Sequence, residues 1–394
     1  MSAFHPAVRE WFGASLGEPT RAQALAWPRI AAGETTLLLA PTGSGKTLAA
    51  FLSAIDRLAR EPDPGKARLR VLYVSPLKAL AVDVERNLRA PLAGVFEAAA
   101  RLNTPLRRLE VAVRTGDTSQ NERQRILRAP PDILITTPES LYLLLTSSQR
   151  EMLASVDTVI IDEIHQLAAS KRGTHLFVSL ERLQALRPDT PLQRIGLSAT
   201  QRPLEEIARL LGGLEPSGPK HTLVPRPVAI VDASAKKVLS ISVEVPPPLP
   251  DGLVDPLEEE TASRSIWPAV HVQLVEKIRA ARSTMIFVNS RRLAERLATA
   301  LNETAGEEIA LAHHGSVARE TRLATEERLK AGDLPAIVAT SSLELGIDMG
   351  AVDQVIQVEA PPSVASGTST PDGTPPTWWL ARPMRWMPEA TDGG

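Results

Sequence analysis

Two clusters in this chain have residue types suited to phosphate chemistry: the turn from Pro41 to Thr47, and the adjacent carboxylates Asp162 and Glu163. In LLLAPTGSGKT, Leu37 to Leu39 read as a strand buried on both faces that breaks at Pro41. Gly43 and Gly45, with Thr42 and Ser44 between and before them, let backbone N–H groups converge on an anion with no Cβ in the way. Lys46 would reach the β- and γ-phosphates of a nucleotide. Thr47 would ligate Mg²⁺ at the start of a helix whose positive end faces the anion. The pattern departs from the full P-loop form at its first position, where Ala40 replaces glycine. An ordinary strand-turn-helix connection is the competing reading.

The second cluster closes the run TVIIDEIH, Thr158 to His165. Apolar and β-branched residues lead into two carboxylates at a strand end, where charge has either a job or a large desolvation cost. Asp162 is expected to hold Mg²⁺ through water. Glu163, off the other side of the pleat, is expected to polarise the water that attacks the γ-phosphate. The plainer alternative is a solvated strand-to-helix junction with acids near a helix N-terminus. His165 could relay between this site and GLSAT, where Ser198 and Thr200 are hydroxyls able to switch partners when phosphate leaves. Gln23, on a helix started by Pro19 and Thr20, offers a donor and an acceptor that could read an adenine edge. A surface glutamine is its bland reading.

The elements that must position these groups alternate. Pro6 to Leu16 and Glu18 to Ile30 read as helices, and Leu48, Leu52, Ile55 and Leu58 form an apolar helical stripe behind the turn. Strands are expected at Arg70–Val74, Leu109–Val113 and Asp132–Thr136, each followed by a turn and a helix. Such alternation predicts an α/β fold, a parallel sheet with helices on both faces and one shared C-terminal edge. The loops Ser75-Pro76 to Lys78, Thr115-Gly116-Asp117 and Thr136 to Ser140 then lie on the same side as the phosphate turn.

Composition narrows the partners. At 394 residues the chain suits two α/β domains. Lysine and arginine number 44 against 46 acids, a net charge of −2, so any nucleic-acid site must be a local groove rather than bulk attraction. The absence of cysteine excludes disulfides, thiolate zinc sites and cysteine nucleophiles. The N-terminus lacks an apolar signal core, and no apolar run approaches the roughly 18 residues a membrane span needs. A soluble, cytoplasmic chain is expected.

Taken together, APTGSGKT, SPLKAL, TTPESL, DEIH and SAT, in this order, resemble the motor core of superfamily 2 helicases. The DEIH form, with RTGD and SSLELGID, is most similar to the large helicase-related, Lhr-type family, over roughly residues 15 to 365. The resemblance implies two tandem RecA-like domains, ATP and Mg²⁺ as cofactors, and single-stranded nucleic acid and duplex DNA or DNA–RNA hybrid as partners, the duplex unwound 3′ to 5′ by a monomer. It assigns strand-holding loops to Ser75, Pro76, Lys78, Thr115, Gly116, Thr137, Pro138 and Glu139. In the second domain it assigns them to Asn289-Ser290-Arg291, His314-Gly315 and Thr340-Ser341. Gly346 and Asp348 match the motif that couples ribose and phosphate to domain closure. Hydroxyls, amides and backbone N–H groups suit phosphates without reading bases.

The expected organisation is a first RecA-like domain over 1–213, a proline-rich connector over 214–264, an incomplete second RecA-like domain over 265–362 and an irregular, disordered tail over 363–394. After PPSVASG the resemblance implies an arginine-bearing helix of the Q-R-x-G-R-x-G kind, one arginine of which touches the γ-phosphate. The chain instead reads TSTPDGTPPTWWLARPMRWMPEATDGG, as in a truncated or diverged product. Such a finger contributes about 10³ to 10⁵ in turnover, so hydrolysis is expected to be impaired. Two alternatives stay open: an ATP-binding, hydrolysis-deficient nucleic-acid-binding fragment, and a non-motor P-loop phosphotransferase, which leaves a second domain unexplained.

Overall fold

Runs such as TLLL, VLYV, ILIT and TVII are apolar or β-branched at almost every position, so each strand needs cover on both faces, which a parallel sheet between two helical layers provides. The computed structural model describes residues 1, 3–41, 43–63, 65, 68–76, 78–168, 170–199, 203–217, 222–233, 241–244, 266–340, 352–359 and 377–380. It divides into two units, Met1–Ala235 and Lys236–Gly394.

The first unit runs α1 (Pro6–Leu16), α2 (Arg21–Ala31), β1 (Thr36–Leu39), α3 (Lys46–Arg60), β2 (Val71–Val74), α4 (Lys78–Arg101), β3 (Val111–Arg114), α5 (Gln120–Arg128), β4 (Ile133–Thr136) and α6 (Pro138–Leu145). A 3-10 helix (Ser148–Ser155) leads to β5 (Thr158–Ile161), α7 (Ile164–Ala168), α8 (Lys171–Ala185), β6 (Gln193–Ser198), α9 (Leu204–Gly212), β7 (Leu214–Ser217), β8 (Thr222–Pro225) and β9 (Ala229–Asp232). The sheet order is β3-β4-β2-β5-β6-β1-β9, and every pairing is parallel. Alternate strand residues divide between two cores. Leu38, Tyr73, Ile135 and Ile160 pack with α2, α3 and α4, while Leu37, Leu72, Leu134 and Val159 pack with α6, α7, α8 and α9. All the sheet's C-terminal strand ends therefore face one edge, as the alternation implies.

The second unit runs β10 (Ile241–Glu244), α10 (Trp267–Ala280), β11 (Thr284–Val288), α11 (Arg291–Ala305), β12 (Ala310–His313), α12 (Arg319–Ala331), β13 (Ala336–Thr340), β14 (Gln354–Val358) and β15 (Thr377–Leu380). Its sheet order is β10-β15-β14-β11-β13-β12, again parallel throughout.

Two expectations about organisation need correction. The boundary near Gly213 is too early: β9, from the supposed connector, pairs with β1 through Ala229↔Thr36 to Asp232↔Leu39, and Val231 enters the first core. Proline excludes a central strand but not an edge strand, and β9 is an edge whose prolines lie before it. The tail expected to be irregular over 363–394 contains β15, where Thr377-Trp378-Trp379-Leu380 pairs with β14 and β10. Threonine and tryptophan favour a strand even with prolines nearby.

Candidate active site and nucleic-acid loops

The phosphate turn is built where β1 ends. Gly43 and Gly45 adopt left-handed backbone at φ 77° and 79°. At Gly45 a Cβ would collide with the Gln23 side-chain amide, so glycine is required there for close approach as well as for its dihedral. Gln23 is buried, and its Oε1 accepts from the Thr20 backbone N–H at 2.9 Å while its own N–H bonds the Thr20 hydroxyl, a capping box at the start of α2. The same Thr20 hydroxyl donates to the Ser44 carbonyl at 2.8 Å, fastening α2 to the turn. Gln23 is thus a buried capping residue against the turn, and its bland reading as a surface glutamine fails.

Helix α3 begins at Lys46 with no side-chain cap, leaving its first-turn N–H groups directed at the turn. Lys46 is buried and folds back, its Nζ donating to the carbonyls of Ala40 at 2.7 Å and Pro41 at 2.8 Å. An uncapped helix start, two left-handed glycines and a buried ammonium form a donor set that fits a polyphosphate.

Asp162 and Glu163 follow β5 at the same sheet edge. Tyr73, on the adjacent strand β2, donates its phenol to Oδ2 of Asp162, and the Thr47 side chain lies beside the same phenol, where it opposes the upward shift that burial gives it. The phosphate turn and the carboxylate pair therefore meet at one phenol. A hydroxyl and a carboxylate are the hard oxygen ligands Mg²⁺ takes, so these residues fit that ion. Asp162 accepts the Glu163 N–H at 3.0 Å on its other oxygen, and Glu163 itself holds a left-handed φ of 45°. This is strained backbone at the residue expected to act on water.

Burial sets the electrostatics. Desolvation, then the charge of Glu163, pushes the Asp162 carboxyl up to about 6, against the Tyr73 hydrogen bond and the Lys46 charge. Desolvation also raises Glu163, opposed by Lys46, and raises the Tyr73 phenol well above its usual range. His165 is lowered to about 4, first by desolvation and then by Lys46, so its ring is neutral near pH 7. Its Nδ1 lies 3.4 Å from Glu163 Oε2 and 3.2 Å from Ser198 Oγ. With the ring neutral the first contact is not an ion pair. His165 thus touches both Glu163 and the end of β6.

The other loops of the first unit stand on the same edge. Ser75 is buried and its N–H donates to the Thr136 carbonyl at 2.9 Å. Thr115 is buried, and Gly116 is exposed with its carbonyl held by Arg123 at 2.9 Å. Thr137 caps α6 and is buried with Pro138, leaving Glu139 exposed. In the second unit Ser290 caps α11, Arg291 donates to the Ser316 hydroxyl at 2.8 Å, and Asn289 donates to Glu359 at 3.4 Å. Thr340 ends β13. His314 differs from its expected exposure to a strand. It is buried, with Nε2 on Glu295 at 2.7 Å and Nδ1 accepting from the Ser316 N–H, so it shapes the turn and Gly315 and Ser316 face outward. Thr42, Thr200, Ser341, Gly346 and Asp348, and the side chain of Lys78, lie outside the described residues.

Sequence reasoning passed over Tyr73 and Arg172. A tyrosine in an otherwise aliphatic strand is a weak sign that its hydroxyl has a buried partner. Nothing in spacing marks Arg172.

The fold and site define a P-loop nucleotide-binding protein made of two parallel α/β units. Residues 20–207 match the DEAD/DEAH box helicase family and residues 269–369 the helicase conserved C-terminal domain. The chain is 52% identical to the Lhr helicase/probable uracil glycosylase of Mycolicibacterium smegmatis, over 93% of this chain and 25% of that protein. It is 45% identical to the ATP-dependent helicase Lhr-Core protein 2 of Thermococcus barophilus, over 91% and 40%. Among solved structures, Mycobacterium smegmatis Lhr bound to ssDNA and AMP-PNP matches with a TM-score of 0.76 and 52% identity, covering 96% of this chain and 47% of that one. The chain belongs to the superfamily 2 helicases, within the Lhr type, and spans from a quarter to about half the length of these relatives. Among the described residues no helix is long and apolar enough to cross a membrane.

Proposed function

We propose that this polypeptide is an ATP-dependent nucleic-acid motor core that unwinds duplex DNA or DNA–RNA hybrid as a cytoplasmic monomer. One observation carries the reading: the Tyr73 phenol beside Thr47 of the phosphate turn donates to Asp162 of the DEIH box, and the Lys46 charge acts on that carboxylate. Gln23, Gly43, Ser44, Gly45 and the α3 N-terminus hold the nucleotide, and Lys46 turns from the Ala40 and Pro41 carbonyls to its phosphates. Thr47, and Asp162 through water, would hold Mg²⁺, which would supply positive charge to offset that of the phosphates. Glu163 accepts a proton from the attacking water, and burial, which raises its carboxyl above the ordinary range, makes it a stronger base for that task. His165 orients Glu163 and passes its position to Ser198. The loops Ser75–Lys78, Thr115-Gly116, Thr137–Glu139, Asn289–Arg291, Gly315 and Thr340-Ser341 hold a single strand by its backbone, with Gly346 and Asp348 coupling the second domain to nucleotide.

The test is ATPase with and without single-stranded DNA. Stimulation by the strand, abolished in Glu163→Gln with ATP binding kept, supports the motor. Turnover that ignores nucleic acid sinks it.

A further inference from the structure

Arg172 sits in the first turn of α8 and makes a three-way connection. Its Nε and Nη2 donate to the two carboxylate oxygens of Glu139, the latter at 2.9 Å, and its Nη1 donates to the backbone carbonyl of Pro76. Glu139 belongs to the loop after β4 and Pro76 to the loop after β2. One planar guanidinium therefore spans two separate loops of the same sheet edge. The hydrogen bond from Arg172 is the main reason the Glu139 carboxyl lies below its usual range, so the pair is charged at neutral pH.

An exposed ion pair contributes little to stability on its own. Here 39% of the arginine and 57% of the glutamate side chain remain exposed, so stability is a poor reason for the arrangement. What the fork does determine is the distance between the loops.

The turn carrying Arg172 is itself pinned to the hydrolysis site. Ser170 caps α8 through the Gly173 N–H at 3.0 Å, and its N–H donates to the Leu167 carbonyl at 3.0 Å. A Cβ on Gly173 would overlap the Leu167 carbonyl and Cα, so α8 starts in backbone contact with the end of α7. Helix α7 begins at Ile164, immediately after Asp162 and Glu163.

We propose that Arg172 is a positioning residue that sets the spacing of the Ser75-Pro76 and Thr137–Glu139 loops for a nucleic-acid strand and ties both to the segment following the carboxylate pair. The inference rests on the motor reading above.

It is tested on the full chain by fluorescence anisotropy with a labelled single-stranded DNA and by strand-stimulated ATPase. Arg172→Ala is expected to weaken strand binding and raise the strand concentration for half-maximal stimulation about tenfold, while affinity for a fluorescent ATP analogue stays within about twofold. Arg172→Lys, which keeps the charge but not the fork, recovers only part. Arg172→Glu combined with Glu139→Arg recovers more than either single reversal does. Strand affinity and stimulation unchanged in Arg172→Ala overturn this inference alone. A wild-type chain that binds no strand overturns the motor reading and this inference with it.

Discussion

Tyr73 on β2 donates its phenolic hydrogen to Oδ2 of Asp162 just beyond β5, with its ring stacked on Phe51 at 4.8 Å between centroids. The bond crosses the β2–β5 pairing, in which Val74 lies opposite Ile161. It supplies one fixed donor to a buried carboxylate that otherwise faces Glu163.

Replacing Tyr73 by phenylalanine keeps the stacked ring and removes that donor. A hydrogen bond to a charged group contributes about 1.5–3 kcal/mol, so Asp162 should ionise about one pH unit higher than it does now. The acidic limb of the kcat/KM profile for ATP, which reports the free enzyme, is expected to move up by that amount. A limb that stays in place separates Asp162 ionisation from the rate.

Asp162 also costs stability. Its folded pKa, about 6, exceeds the unfolded value of 3.8, so the native state binds the proton more tightly and stability falls as pH rises from 3.8 through 6. Asp162→Asn is therefore expected to stabilise the nucleotide-free chain by about 3 kcal/mol at pH 8 and by only about 0.5 kcal/mol at pH 4. His165 has the opposite sign. With its pKa depressed to about 4, the native state resists protonation, and the stability this gives is present above 6.5 and lost as pH falls toward 4. Urea unfolding of both forms at the two pH values checks the difference, because the His165 contribution is common to them.

Gly45→Ala combines a left-handed φ of 79° with a collision against the Gln23 amide. ATP affinity is expected to drop at least about tenfold, since alanine at such a φ costs about 1–2 kcal/mol before the collision is counted. Gly33→Ala is the control: φ is 77° but no atom lies within 4 Å. Binding of a fluorescent ATP analogue to the two variants separates the steric part from backbone strain; equal losses would falsify a role for the Gln23 contact.

Arg194 on β6 is 1% exposed, and its Nη1 donates to Glu181 at 2.9 Å and to the carbonyls of Leu211 at 3.1 Å and Gly212 at 3.0 Å. Arg226, just before β9, joins the same glutamate. Arg194→Met keeps most of the volume, and Arg226 remains to pair Glu181. The variant is expected to lose about 2 kcal/mol through the Leu211 carbonyl left unpaired. The urea midpoint should fall with its slope unchanged.

Residues 1–199 carried most of their own fold in local pattern. Apolar strand runs ending in Pro41, Ser75, Thr136 and Asp162 implied parallel strands with their functional ends on one edge, because period and turn chemistry are properties of neighbours in sequence. Edge strands were harder to read. Ala229–Asp232 and Thr377–Leu380 are short and flanked by prolines, and nothing local says that an open sheet edge awaits them.

Residue type and order alone marked Lys46, Thr47, Asp162 and Glu163 as the candidate phosphate and metal site, since few other functions require a glycine turn and a carboxylate pair at strand ends of one sheet edge. Only tertiary structure decided that Tyr73 donates to Asp162, that Arg172 bridges Pro76 to Glu139, and that His314 turns inward to Glu295. Each of these is a contact between segments far apart in the chain. The partner of a buried hydroxyl, guanidinium or imidazole is set by what the folded sheet brings beside it, and sequence spacing carries no record of that.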